Sequence, residues 1–252
     1  MKEKRKRNKF QLWSVLFWLI IWHVASIMID SSIIIVSPLV VLKQLFGLIN
    51  QADFWRTIFY SFIRIITGFL LALLTGSMWA ALSARCFMIK QLISPIMITI
   101  KTIPVASFII LALFWFSSAN LSIFISFIMV FPIIYTNVLK VIEETDEKLL
   151  EMVEVFQISF HYKIRYIYIP QVMPYFRAGC SIALGLCWKS GIAAEVIGIP
   201  MGTIGERLQQ AKVYLETAEV LSWTVVIVVI SLLFESFFLT LLDIITKEWE
   251  RM

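Results

Sequence analysis

The chain has 252 residues, of which 60% are hydrophobic and only 15% charged, with a formal net charge of +5 and a mean hydropathy of +0.87. This composition excludes an ordinary soluble domain. A run of roughly 20 apolar residues crosses a hydrocarbon core about 30 Å thick, and such runs recur along the chain. The composition therefore predicts an all-α, polytopic membrane protein.

Six apolar segments have this length, with Pro95 and Pro104 inside the third and Pro132 inside the fourth. A polar stretch, residues 143–178, separates the fourth segment from the fifth. We predict one transmembrane domain over residues 12–252, preceded by a basic tail over residues 1–11. The predicted crossings are residues 12–29, 58–82, 92–116, 121–142, 179–199 and 220–242.

The basic tail MKEKRKRNK sets the predicted orientation, because short cytoplasmic segments carry an excess of Lys and Arg. A nucleic-acid arm would need a soluble context, and a cleaved signal peptide would have a shorter apolar run and a small-residue cleavage site. We therefore expect an uncleaved anchor with both termini in the cytoplasm. With six crossings, the following basic residues lie on the inner side: Arg85, Lys90, Lys148, Lys163, Arg165, Arg177, Lys247 and Arg251. Fewer lie on the outer side: Lys43, Arg56, Arg207 and Lys212.

Small residues recur every fourth position along the second crossing: Gly68, Ala72, Gly76, Ala80 and Ala84. Such residues are common in membrane helices, but five in register form one face on which two helices approach closely. We predict a helix-packing face here.

Five ionisable residues lie within the apolar runs: Arg64, Lys101, Lys189, Glu195 and Glu235. Each would cost on the order of 3 kcal/mol at the bilayer centre, so each should face protein, water or an interface. Arg64 lies near the outer end of its crossing and is expected to snorkel. Lys101 lies between Pro95 and Pro104, and two alternatives stay open: an interfacial helix that places it near the inner surface, or a continuous helix that points it into the bundle.

In the fifth crossing, Trp188 and Glu195 are seven residues apart and share a helix face, whereas Lys189 lies about 120° away from Glu195. Lys189 and Glu195 should therefore not pair along their own helix. Glu195 faces either a polar path or partner helix, or a buried structural hydrogen bond. Both alternatives predict an inward-facing carboxylate.

Several classes of site are missing from the sequence. The three cysteines, Cys86, Cys180 and Cys187, lie in or beside predicted crossings and indicate no disulfide framework. His23 and His161 are far apart, so no metal cluster is predicted. The chain contains no G-x-x-x-x-G-K-[ST] loop for nucleotide phosphates. We expect neither a metal nor a cofactor in this chain.

The polar stretch begins with six acidic residues between positions 143 and 154, interleaved with apolar residues. This pattern predicts a short amphipathic helix on the inner side. On these grounds alone, the segment is equally compatible with a solvated connector.

The stretch EMVEVFQISFHYKIRYIYIP resembles the cytoplasmic EAA loop of bacterial ATP-binding cassette importer permeases. The family pattern E-A-A-x3-G-x9-I-x-L-P maps at full spacing onto Glu151, Met152, Val153, Gln157, Ile167, Ile169 and Pro170. Met152 and Val153 replace the alanines, Ile169 replaces the leucine, and Gln157 replaces the glycine. In that family the glycine lies at the break between two short helices, where its φ is positive. Gln157 at this position would cost on the order of 1 kcal/mol, so either the turn relaxes or the strain is tolerated.

The resemblance covers residues 54–235. The stretches DFWRTIFYSFIRIITGFLLALLTGSMWAALSA, IPVASFIILALFWF and CSIALGLCWKSGIAAEVIGIPMGTIGERL are similar to helices of the permeases of nitrate, taurine and alkanesulfonate importers. The first crossing and both tails are less similar to these permeases.

This resemblance implies the type I importer fold: two permeases, expected as a homodimer, two ATPase subunits that hold ATP and Mg, and an extracytoplasmic substrate-binding protein. It implies that the chain resides in the bacterial plasma membrane and is not itself an enzyme. The implied ATPase-coupling residues are Glu151, Met152, Val153, Phe156, Gln157, Ile158, Ser159, Phe160 and Pro170. The candidates for the translocation path are Lys101, Trp188, Lys189 and Glu195.

Two other functions stay open. A self-sufficient secondary transporter or channel would often show inverted repeats, and none is evident in the sequence. A membrane enzyme would need a catalytic constellation, and no Ser/His/Asp, paired-carboxylate or metal arrangement stands out. The solute, a nitrate-, sulfonate- or taurine-like molecule or a vitamin precursor, is not specified by the sequence.

Overall fold

The computed structural model describes residues 12–29, 31, 33–145 and 147–251. The basic tail and the orientation signal that it carries lie outside the described residues, as does Asp146. Within the described part the chain forms eleven α-helices and no strand: α1 Leu12–Ile29, α2 Pro38–Ile49, α3 Ala52–Arg85, α4 Phe87–Thr102, α5 Val105–Ala112, α6 Ser118–Glu143, α7 Glu147–Val155, α8 Phe160–Lys163, α9 Ile169–Gly198, α10 Ile204–Val213 and α11 Thr217–Arg251.

Four of these helices, α3, α6, α9 and α11, are long and apolar enough to cross a membrane. The pair α4 and α5 would supply a fifth span if counted as one crossing. Helix α1 occupies the first predicted crossing and is apolar over 18 residues, about 27 Å. The all-α polytopic class is therefore confirmed. The short helices α2 and α10 lie outside all six predicted crossings.

The third predicted crossing, residues 92–116, is not one continuous helix. Helices α4 and α5 meet at an angle of 107°. The break has a local cause, because Pro104 disfavours helical geometry at the residue before it, and Ile103 has φ −72° and ψ 131°. Lys101 therefore lies in the last turn of α4, where its Nζ is 3.4 Å from the Thr136 hydroxyl. This bend excludes the continuous-helix alternative for Lys101.

The core of the subunit lies where α3, α6 and α9 pack together. Ile65, Phe69, Val130 and Leu184 have at most 1% of their surface exposed. The small-residue face of α3 lies in this core: Gly68, Ala72, Gly76 and Ala80 are buried, and Ala84 is half-buried. A Cβ added at Gly68 would lie 2.8 Å from the Ser126 Cβ and 3.0 Å from the Phe127 nitrogen. The small-residue face therefore lets α3 pack closely against α6 within one subunit.

The helix ends lie in two groups, one at each end of the bundle. At one end, called the α7 end, a cavity is lined by Arg85 of α3, Ile142 of α6 and Tyr168 ahead of α9. Two ion pairs lie at this end, Lys90 with Glu143 at 2.6 Å and Arg177 with Asp243 at 2.6 Å. At the other end, called the α10 end, Arg207 approaches Asp53 at 3.8 Å.

Candidate functional site

Helices α7 and α8 meet at a tight corner whose central residue is Gln157. The Gln157 φ is +49°, in the left-handed region that glycine adopts most easily. The Ile158 N–H donates to the Val153 carbonyl at 3.0 Å, five residues back, which is the hydrogen bond of a Schellman helix ending. The turn therefore does not relax around Gln157, and the backbone holds the strained conformation.

The corner places apolar side chains on the surface. Phe156 is 72% exposed, and Val155, Met152 and Ile158 are also exposed. Val153 is buried with 4% exposed, so it anchors α7 to the subunit. Of the remaining residues predicted for coupling, Glu151, Gln157, Ser159 and Pro170 are exposed. Phe160 begins α8, and its side chain lies outside the described set.

A cavity of about 370 Å³ adjoins the corner and extends the apolar surface toward α9. Its lining includes Met152 and Ile158 from the corner, together with Tyr162, Tyr166 and Pro170. The rings of Tyr162 and Tyr166 are stacked at 6.0 Å. Neither tyrosine is among the predicted coupling residues, although both follow the corner at helical spacing, which is the signal that could have found them.

The backbone runs helically from α8 into α9 through a five-residue π-helical turn, Ile164–Tyr168. Pro170 follows this turn and has no N–H to donate, and its ring crowds the carbonyl of Tyr166, so a widened turn satisfies the local geometry. Helix α9 then continues for 30 residues, about 45 Å. The corner is thus attached directly to a membrane-spanning helix.

At its far end, α9 carries a fully buried carboxylate, Glu195, with no exposed surface. Its Oε2 accepts hydrogen bonds from the Ser61 hydroxyl at 2.6 Å and from the Gly205 N–H at 3.3 Å. The Ser61 Oγ in turn accepts from the Ile204 N–H at 2.9 Å. The carboxylate therefore joins α9 to α3 and to the N-terminus of α10.

Only a glycine fits where α10 meets this carboxylate. A Cβ added at Gly205 would lie 2.5 Å from the Val196 nitrogen and closer still to Glu195. The turn leading there is also strained, because Ile199 ends α9 with φ +48°, rare for a β-branched residue. The α9–α10 hairpin is therefore held in one arrangement by close packing and buried hydrogen bonds.

Comparison with known proteins identifies the family. Residues 72–251 match the model of the binding-protein-dependent transport system inner membrane component. The chain belongs to this family. It is 24% identical to a putative aliphatic sulfonates transport permease protein of Bacillus subtilis (strain 168), over 86% of this chain and 79% of that one. It is 23% identical to a taurine transport system permease protein of Escherichia coli (strain K12), over 85% and 80%. It is 30% identical to a nitrate import permease protein of Synechococcus elongatus, over 56% and 50%.

In this inner membrane component, one face of α9 stays uncovered within the single subunit. The exposed positions are Ala178, Ile182, Gly185 and Lys189, spaced three or four residues apart. No heavy atom lies within 4 Å of the position that a Cβ on Gly185 would occupy. A lysine on such a face of a membrane helix should meet water or protein, not lipid.

Of the four predicted path residues, Lys189 lies on this exposed face of α9. Lys101 and Lys189 are exposed, whereas Trp188 has 2% of its surface exposed and Glu195 none. Ser61, which the sequence reasoning missed, is the hydrogen-bond partner that joins Glu195 to α3. In the sequence, Ser61 is distinguished only as a small polar residue within an apolar run.

Proposed function

We propose that this inner membrane component is the permease subunit of an ATP-binding cassette importer, and that the α7–α8 corner binds a separate ATPase subunit. The observation that carries the proposal is the exposed apolar corner, with Phe156 72% exposed at a rigid helix ending. An exposed apolar cluster outside the spanning helices fits a protein interface.

The corner is suited to transmit motion. Val153 and the Schellman turn fix α7 to the start of α8, and α8 continues through the π turn into α9. A displacement of the corner would therefore move α9 as a rigid element. The Arg177–Asp243 ion pair and the Ser181–Glu235 hydrogen bond at 2.5 Å would carry α11 with it.

The assembly that we propose has two permeases, two ATPases that hold ATP and Mg, and an extracytoplasmic substrate-binding protein. The α7 end faces the cytoplasm, since the excess of basic residues lies there. The exposed face of α9 then lies against the translocation path between two copies of the chain, with Lys189 and Lys101 toward it.

The proposed solute is a small anion or zwitterion of the sulfonate, taurine or nitrate type. Its support is the likeness to permeases named for aliphatic sulfonates, taurine and nitrate, and the two exposed lysines. Lysine donates hydrogen bonds to oxyanions as a compact positive charge.

The test is co-purification with a candidate ATPase subunit from the same organism, combined with ATP-driven solute uptake in proteoliposomes. Phe156→Ser and Glu151→Lys should each reduce ATPase recovery and uptake without reducing membrane insertion. Val213→Ser is the matched control, because this valine is similarly exposed, at 67%, but lies in α10. Full uptake by both corner variants, or uptake by this chain without any ATPase, would contradict the proposal and would favour a secondary transporter.

A further inference from the structure

A pocket of about 440 Å³ opens at the α10 end between α3 and the α9–α10 turn. Three arginines line it, Arg56, Arg64 and Arg207. Arg56, Tyr60 and Arg64 are spaced four residues apart and therefore share one face of α3. Tyr60 packs beside Gly202 of the turn, with its ring carbon 4.0 Å from the position of an added Cβ. The pocket thus brings together charges from two distant parts of the chain.

Two of the arginines lie beside the same aromatic ring. The guanidinium carbons of Arg56 and Arg64 lie 5.6 Å and 5.8 Å from the centroid of the same Tyr60 ring. Like charges that line one pocket repel each other. A bound anion would remove that repulsion.

Arg64 lies deepest and has an unmet hydrogen-bonding group. Its Nη1 is buried and has no hydrogen-bond partner within the described residues. A buried charged donor without an acceptor is costly, and an oxygen of a ligand in the pocket would satisfy it. Snorkelling, expected for Arg64, does not account for a buried nitrogen.

The acidic groups nearby have hydrogen-bond or ion-pair partners of their own for at least one carboxylate oxygen each. Asp53 lines the rim and approaches Arg207 at 3.8 Å. Glu206 accepts from the Gly202 N–H at 2.6 Å, and the Glu195 Oε2 accepts from Ser61 and Gly205 on the interior side, whereas the buried Glu195 Oε1 has no hydrogen-bond partner within the described residues. The lining itself holds three arginines against one carboxylate, so a positive excess stays within the pocket.

We propose that this pocket binds a small oxyanion, with Arg64 at its floor and Arg56 and Arg207 at its rim. Guanidinium groups match the planar, bidentate geometry of sulfonate, nitrate and phosphate oxygens. The volume is in the range of small-ligand sites, and its opening faces the α10 end. The pocket would receive the anion before the anion reaches the exposed face of α9. This role in transport rests on the proposed function, whereas binding of an oxyanion to the pocket does not.

The test measures binding of methanesulfonate to the purified full chain in lipid nanodiscs by calorimetry. Arg64→Gln should weaken binding at least tenfold, as expected for loss of a charge-assisted pair. Arg56→Gln at the exposed rim should weaken methanesulfonate binding several-fold. This second variant keeps the test valid if Arg64→Gln fails to fold. Lys43→Gln removes the same charge from a residue outside the pocket and should change affinity less than twofold, and tetramethylammonium should not bind.

A phospholipid headgroup carries the same oxyanion chemistry, and the nanodiscs separate the two sources. Equal methanesulfonate binding in zwitterionic and anionic discs assigns the pocket to a free anion. Loss of binding in anionic discs, with phosphatidylglycerol retained by the wild type but not by Arg64→Gln in native mass spectrometry, assigns it to a headgroup.

Absence of methanesulfonate binding in zwitterionic discs, or an equal loss with Lys43→Gln, would overturn the oxyanion site. ATP-driven uptake by the wild-type importer would show that the permease proposal survives that result. Conversely, Arg64-dependent binding by a chain that supports no uptake would leave the site intact and refute the permease proposal.

Discussion

Substitution of Gly68 by alanine tests the packing of α3 against α6 at its closest point. The added Cβ would meet the Ile123 carbonyl oxygen first, then the Ser126 Cβ at 2.8 Å and the Phe127 nitrogen at 3.0 Å. These atoms belong to the α6 backbone or are attached directly to it, so no side-chain rotation can make room. The helices themselves would have to separate.

The expected magnitude follows from two opposing effects. Overpacking of a close-packed interface costs about 1 to 3 kcal/mol. Alanine recovers up to about 1 kcal/mol relative to glycine in a helix interior. We therefore expect Gly68→Ala to lower the free energy of unfolding by about 1 to 2 kcal/mol. The variant should melt at a lower temperature than the wild type.

Two other glycines provide a graded control. At Gly76 an added Cβ would lie 3.3 Å from the Ile134 side chain and from the Phe131 carbonyl oxygen, so a shift of a few tenths of an ångström suffices and Gly76→Ala should cost less than Gly68→Ala. At Gly47 no heavy atom lies within 4 Å, so Gly47→Ala should stabilise α2 slightly. Thermal unfolding in one detergent, monitored by tryptophan fluorescence, gives the order of stability of the three variants. A Gly68→Ala melting temperature at or above that of Gly76→Ala would refute the packing argument.

Three further variants are predicted. Gln157→Gly should raise the free energy of unfolding of the corner by about 1 kcal/mol, because glycine adopts the positive φ without strain; hydrogen exchange of the corner amides measures this. Ser61→Ala should lower stability by about 1 to 3 kcal/mol, because Glu195 loses a donor and the Ile204 N–H loses its acceptor; thermal melting measures it. Asp243→Asn should cost about 1 kcal/mol or less, with the loss reduced at high salt, because its ion pair with Arg177 is partly exposed; melts at two ionic strengths measure it.

Each of these has a control. Gln157→Ala should not raise the stability of the corner, because its Cβ retains the steric cost of the left-handed conformation. Thr75→Ala should leave the melting temperature nearly unchanged, because its hydroxyl bonds only the Leu71 carbonyl of its own helix. A Ser61→Ala variant as stable as Thr75→Ala would contradict the structural role of the Glu195 network. Asp243→Glu should keep the salt dependence of the wild type.

Local features of the sequence predicted much of the fold. Hydropathy located the long apolar helices α3, α6, α9 and α11. A membrane helix satisfies its backbone hydrogen bonds within one segment, so the signal for it lies in consecutive residues. The proline that ends α4 and the glycine-like position of Gln157 are likewise local, and both appear in the structure as a helix break and a positive φ. The sequence left the choice between two positions for Lys101 open, because a proline permits a bend without fixing its angle.

The sequence by itself determined that the chain is a helical membrane protein, which segments are apolar, and which stretch resembles the EAA loop of importer permeases, since composition and spacing are properties of neighbouring residues. Only the tertiary structure decided the 107° bend between α4 and α5, the bond between Glu195 and Ser61, and the meeting of Arg64 with Arg207 in one pocket. These features join residues far apart along the chain, and their distances depend on how α3, α6 and α9 pack against one another. Hydrophobicity specifies that helices associate, but the shapes of the packed side chains fix which residues meet.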